Sequence, residues 1–144
     1  MKRLVALLHY FRPPRPAHLL AGEWGEKLAE RHLRKKGFKI LGRRVRIGDR
    51  DELDLVARHG NVLVFVEVKT RATEDFGRPS EAIGREKERN LERAALAYIR
   101  RLREKPPYFR FDVVEVVGTR GSGRPEIRHL EDAVEMRSRG NPAW

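Results

Sequence analysis

The hydrophobic positions of this chain follow two periods. From Val62 to Lys69 the run Val-Leu-Val-Phe-Val-Glu-Val-Lys is β-branched, aromatic and nearly continuous, which predicts a strand central in a sheet. Tyr108 to Val117 predicts a second clear strand, and in Glu52 to Ala57 Leu53 and Leu55 alternate with acids. Phe38 to Leu41 and Val45 to Ile47 form a first extended segment, and Glu126 to His129 an edge strand. Elsewhere the period is helical. Leu91, Ala94, Ala95, Tyr98, Ile99 and Leu102 lie on one broad stripe of a helix over Arg85 to Arg103, ended by Pro106-Pro107. This stripe and Trp24 read as core. Gly22 to Lys36 predicts the first helix, with Glu23–Lys27 and Glu30–Arg34 as i,i+4 pairs and Gly37 as the stop.

Turns separate these elements at Gly48–Asp51, at His59-Gly60-Asn61, in a loop holding Gly77 and Pro79, and at Gly118–Gly123. A short C-terminal helix is expected after the last strand. The order is therefore helix, three strands, helix, strand and a trailing arm, an α/β domain with a mixed sheet flanked by helices. Residues 11 to 18 are proline-rich and basic. They predict a linker, with an N-terminal extension over residues 1–20 and a single domain over residues 21–144.

Composition narrows the function classes. Lys and Arg outnumber Asp and Glu by 32 to 21, giving a net charge of +11, which favours a polyanionic partner such as nucleic acid or an anionic membrane surface. Cysteine is absent and the five histidines show no paired ligand spacing, so a disulfide, a thiolate nucleophile and a cysteine zinc site are excluded. Chemistry must come from carboxylates, lysine and backbone, and no small-molecule cofactor is expected. Lys2 and Arg3 precede an apolar run, Leu4 to Leu8, that is too short for a signal peptide. No stretch is apolar enough to span a bilayer, so a cytoplasmic protein is expected.

One constellation can carry chemistry. In a strand, residues two apart share a face, so Phe65, Glu67 and Lys69 point one way and Val64, Val66 and Val68 the other. The preceding strand presents Glu52 and Asp54 opposite Leu53 and Leu55, and the short turn between the strands makes them antiparallel, so Asp54 can meet Glu67. Two carboxylates beside a lysine suit phosphodiester hydrolysis, the acids holding Mg²⁺ and the lysine facing the developing charge. The same charges would equally form cross-strand salt bridges at a sheet rim.

Glu26 has no basic neighbour three or four residues away and shares a helical face with Ala29 and Leu33. A metal, a cap or a distant arginine would each satisfy it. Thr70 and Arg71 can touch a phosphate or simply end a strand. Lys87, Arg89 and Arg93 open the long helix, either near a phosphate or as part of a solvated mixed-charge face. Asp112 reads as a structural partner of an arginine.

The residues that carry this pattern also carry a family resemblance. Gly-Glu-Trp-Gly-Glu-Lys-Leu-Ala-Glu-Arg-His-Leu-Arg-Lys-Lys-Gly (22 to 37), Asp-Glu-Leu-Asp-Leu-Val-Ala (51 to 57), Val-Phe-Val-Glu-Val-Lys-Thr-Arg (64 to 71), Phe-Gly-Arg-Pro-Ser-Glu-Ala-Ile (76 to 83) and Arg-Phe-Asp-Val-Val-Glu-Val (110 to 116) occur in that order. Together they resemble the bacterial YraN-like family of uncharacterised predicted endonucleases.

That family is similar to the restriction-endonuclease-like superfamily, which implies a core of order α-β-β-β-α-β. Its PD-(D/E)xK pattern falls on Asp54 and on Glu67-Val68-Lys69, with Leu53 where the name-giving proline would stand. Asp51 precedes Glu52 where the family usually has glycine. The resemblance implies that Asp54 and Glu67 are metal ligands, that Val68 lends its carbonyl, that Lys69 assists catalysis, and that Glu26 matches the helix carboxylate of Holliday-junction-resolvase-like members. It further implies Mg²⁺ or Mn²⁺ as cofactor, DNA as substrate and a homodimer in which two subunits cut two strands; Glu52, Thr70, Arg71 and Lys87 are the candidate nucleic-acid contacts.

The expectation is thus a structure-specific, metal-dependent endonuclease. The alternatives are a noncatalytic nucleic-acid-binding module on the same fold, and an adaptor held at a membrane surface by the basic N-terminus.

Overall fold

The computed structural model describes residues 16–73 and 84–134. The expected C-terminal helix beyond residue 134, the Gly77/Pro79 loop with its Phe76–Ile83 motif, and most of the N-terminal extension lie outside them.

Within them the order is α1 (Ala17–Lys35), β1 (Lys39–Ile47), β2 (Asp51–His59), β3 (Val62–Arg71), α2 (Arg85–Arg100), β4 (Tyr108–Val117) and β5 (Glu126–Leu130). The five strands form one sheet in sequence order. β3 is at its centre, as its nearly unbroken apolar run requires. β3 and β4 are parallel, Val62 pairing Tyr108 through to Arg71 with Val117, and α2 makes the crossover between them. All other pairings are antiparallel, so the sheet is mixed.

Each helix covers one face. Leu91, Ala94, Ala95 and Ile99 of α2 pack on Phe65, Phe111 and Val113, while Ala29 and Leu33 of α1 pack with Val64, Val66, Val114 and Val116. The period-two alternation of β3 and β4 thus feeds two cores from one set of strands.

α1 starts at Ala17 rather than at the predicted Gly22. Pro16 holds φ at −54° at the N-cap, a backbone ready to enter a helix, and the following residues through Ala21 are exposed, which is why no hydrophobic period marks them. α2 stops at Arg100 rather than Arg103. Lys105 folds back to donate to the carbonyls of Ile99 (2.9 Å), Arg100 (3.1 Å) and Leu102 (2.6 Å), satisfying the helix end with a cation. β1 is one continuous strand, bent by an irregularity between Ile40 and Gly42.

Asp112 is wholly buried on the α1 face. It accepts from Arg110 Nε (2.9 Å), His129 Nε2 (2.7 Å) and the Asp132 amide (3.0 Å), the structural role expected of it. Although burial pushes the other way, these bonds hold its carboxyl below the usual aspartate range.

Candidate functional site

The site lies where the sheet splits. The β2–β3 ladder runs from His59/Val62 to Leu55/Val66 and ends there, although β2 reaches back to Asp51 and β3 on to Arg71. Past the last pair, the Val68 amide donates to Asp54 Oδ2 at 2.9 Å, so a side chain replaces the ladder bond. In an extended chain the N–H and C=O of one residue leave by the same edge, so the Val68 carbonyl also faces the β2 side.

The predicted alternation in β2 fails at this point. Leu53 packs in the α2 core and Leu55 in the α1 core, so the two leucines do not share the face opposite Asp54. At the same residue the Asp54 side chain bonds the β3 backbone across the split. β1 deforms at the same level. Arg44, between the Arg43/Leu55 and Val45/Leu53 pairs, has φ of 45°, a left-handed conformation that L side chains disfavour.

Glu67 is only 6% exposed at the end of the apolar part of β3. Its Oε1 lies 3.4 Å from Lys69 Nζ and 3.3 Å from Lys87 Nζ, the latter from the first turn of α2. Burial pushes the Asp54 carboxyl up to about 7, helped by the neighbouring charges of Glu67 and Glu26 and opposed by the Val68 amide and Lys87. The charge of Glu67 thus acts on Asp54 across the split.

Glu26 reaches the same neighbourhood but is not without a partner. Arg44 Nε donates to its Oε2 at 2.7 Å and Arg44 also approaches Glu23 at 3.5 Å. Of the partners open to it, the distant arginine is the one present. The pair borders a cavity of about 210 Å³ between α1 and β1, lined also by Lys27, Glu30, Arg43 and Leu55.

The remaining predicted residues divide. Lys87 joins the cluster through Glu67. Thr70 faces α1 instead: a Cβ on Gly25 would sit 1.9 Å from its Oγ1, so only glycine allows α1 this close to β3. Arg71 follows Lys69 on the α2 side by alternation, and its carbonyl accepts from the Gly118 amide at 2.8 Å. Glu52 is exposed and pairs in register with Arg46 on β1. Arg93 is engaged with Asp51 through two bonds of 3.1 and 3.0 Å.

Two residues were not singled out from the sequence. Arg44 gave no signal, because its strand is exposed and its backbone conformation is tertiary. Glu115 did give one, an acid inside the apolar run Val-Val-Glu-Val-Val. It is buried, registers beside Lys69 on the α2 face, and lies 3.8 Å from Arg128.

Among the described residues no three His, Asp or Glu side chains stand close enough to enclose a cation. The donors at the split are two carboxylates and a carbonyl. That set suits Mg²⁺, which keeps several waters and completes its shell with substrate phosphate. The raised Asp54 carboxyl fits as well, since a cation beside it would offset the burial, and the nearby Glu67 charge, that lift it.

Comparison with known proteins agrees with the motifs. A protein of Symbiobacterium thermophilum, described as a UPF0102 protein, is 50% identical over 95 residues, covering 66% of this chain and 80% of its own length. UPF0102 proteins of Syntrophotalea carbinolica and Syntrophomonas wolfei are each 44% identical, covering 82% and 78% of this chain and 94% and 95% of their own lengths. The model of the uncharacterised protein family UPF0102 matches residues 25–116, from the glycine under which Thr70 packs to the penultimate residue of β4. This chain belongs to the UPF0102 family, the YraN-like family that its motifs resemble.

Proposed function

We propose that this protein is a Mg²⁺- or Mn²⁺-dependent nuclease that hydrolyses DNA phosphodiester bonds at the split between β2 and β3. The observation that carries the reading is Asp54, a carboxyl raised to about 7 beside buried Glu67, the Val68 amide and two lysines. Structural ion pairs are arranged to lower carboxyl pKa values. Here burial, with the charges of Glu67 and Glu26 nearby, raises Asp54 instead, which is characteristic of a functional site.

Asp54, Glu67 and the Val68 carbonyl would hold the cation, which when bound would activate a water and neutralise charge on the leaving oxygen. Lys69 lies beside the cation-holding acids and offers a fixed ammonium to the non-bridging phosphate oxygens as negative charge builds. Hydrolysis adds the water's hydroxyl to phosphorus and its proton to the departing sugar oxygen. The net charge of +11 supports a polyanionic substrate. Nothing along the strands reads base edges at a recognisable spacing, so structure-specific cutting is the form proposed.

The test is incubation with duplex, flap, four-way junction and single-stranded DNA in Mg²⁺ or Mn²⁺. Cleavage of at least one substrate by the wild type, abolished by Glu67→Gln and by EDTA, is the expected outcome. Intact substrates throughout would overturn the reading.

A second reading, a noncatalytic nucleic-acid-binding protein on the same fold, is favoured by one observation: both lysines already neutralise Glu67. It predicts salt-sensitive DNA binding that Asp54→Ala and Glu67→Asn leave unchanged.

A further inference from the structure

Glu67 Oε1 has two ammonium neighbours, and they differ in how they are held. Lys69 belongs to the same strand, two residues along, with its side chain 29% exposed. Lys87 comes from the opposite side of the split, from the first turn of α2, and its side chain is 43% exposed. A cation in the first turn of a helix opposes the helix dipole, so α2 itself gives Lys87 no reason to sit there. Among the described residues no side chain caps that helix start. The attraction that holds Lys87 over the split is Glu67, and Lys87 also acts on Asp54 from the same position. Its exposed, flexible stem can swing without moving the backbone.

Resting on the nuclease reading above, we propose that Lys87 is a built-in counter-ion: it occupies Glu67 while the site lacks a divalent cation, gives up that carboxylate when the cation binds, and moves its ammonium to a phosphate of the DNA backbone. The two acids are thereby kept from full mutual repulsion in the empty protein. Cation binding and DNA binding become linked, because the cation frees Lys87 for DNA and DNA, by holding Lys87, frees Glu67 for the cation. Lys69, fixed in β3, stays at the cluster in both states.

The test measures Mn²⁺ binding to the full chain from the loss of the free-ion electron paramagnetic resonance signal, in wild type, Lys87→Met and Lys87→Arg, with no substrate present. Removing a competing positive charge next to the ligands should tighten Mn²⁺ binding about threefold to tenfold in Lys87→Met, whereas Lys87→Arg should stay near wild type. Binding to a short DNA duplex in saturating Ca²⁺ should weaken in Lys87→Met, its log–log salt dependence becoming shallower by about 0.9. Unchanged or weaker Mn²⁺ affinity in Lys87→Met, with Mn²⁺ still bound by the wild type, overturns the exchange alone. Absence of Mn²⁺ binding in every form overturns the exchange together with the metal site on which it rests.

Discussion

Asp54→Asn should make the metal-free protein more stable at neutral and alkaline pH, a gain that disappears in acid. The wild-type carboxyl is lifted from 3.8 to about 7 by burial and by Glu67 and Glu26. Between those values the folded state binds the proton that the unfolded state has released, so wild-type stability falls as pH rises through the window. Above about 7 the cost is complete, and below about 4 it is absent. At about 1.4 kcal/mol per pH unit the upper bound is ~4 kcal/mol. Asparagine keeps an oxygen for the Val68 amide but loses the charge-assisted part of that bond, about 1 kcal/mol, leaving a net gain of roughly 2–3 kcal/mol. For a chain of this length that is a rise in melting temperature of about 5–10 °C. Thermal melts of both proteins in EDTA from pH 4 to pH 8 measure it. Mg²⁺ should then raise the wild-type melting temperature and leave Asp54→Asn unmoved, because only the wild type keeps the acid pair. A pH-independent difference, or a less stable Asp54→Asn at pH 8, would refute the reasoning.

Two further substitutions probe the scaffold. Gly25→Ala should destabilise by about 1–3 kcal/mol, since its Cβ meets Thr70 Oγ1, and Thr70→Ala in the same chain should recover part of the loss in a double-mutant cycle of denaturant melts. Asp112→Ala should cost about 3–5 kcal/mol by taking the buried carboxylate away from Arg110 and His129, which keep their contacts with Glu131 and Lys36, lowering the denaturation midpoint; because the Asp112 carboxyl is depressed in the fold, this loss should be full above about pH 4 and shrink in stronger acid.

Where the fold follows local periodicity, the sequence is readable. β3 and the α2 stripe are recovered nearly residue by residue, because each buries one or both faces over a long regular stretch. The start of α1 is not, since Ala17 to Ala21 face solvent and bury nothing that would impose a period. The same division holds at the site. Asp54, Glu67 and Lys69 could be grouped from the two-residue repeat of paired strands. The reversal of β2 at Asp54 could not, because it breaks that repeat. Arg44 meeting Glu26 across 18 residues also escapes sequence reasoning, since a left-handed residue inside a strand has no local signature unless it is glycine. Lys87 reads in the sequence as a phosphate contact or as one charge of a mixed helix face; its contact with Glu67 is not legible there, because it depends on how α2 lies over the sheet.

The proposed function stands or falls with a cation site at Asp54 and Glu67. Mn²⁺ titration of the purified chain tests it most directly, with wild type, Asp54→Asn and Glu67→Gln compared from pH 6 to pH 8. One Mn²⁺ per wild-type chain is expected, bound more tightly as pH rises because the ion displaces a proton from Asp54, with little binding in either variant. Wild-type binding that is absent, or that Glu67→Gln leaves intact, would contradict it.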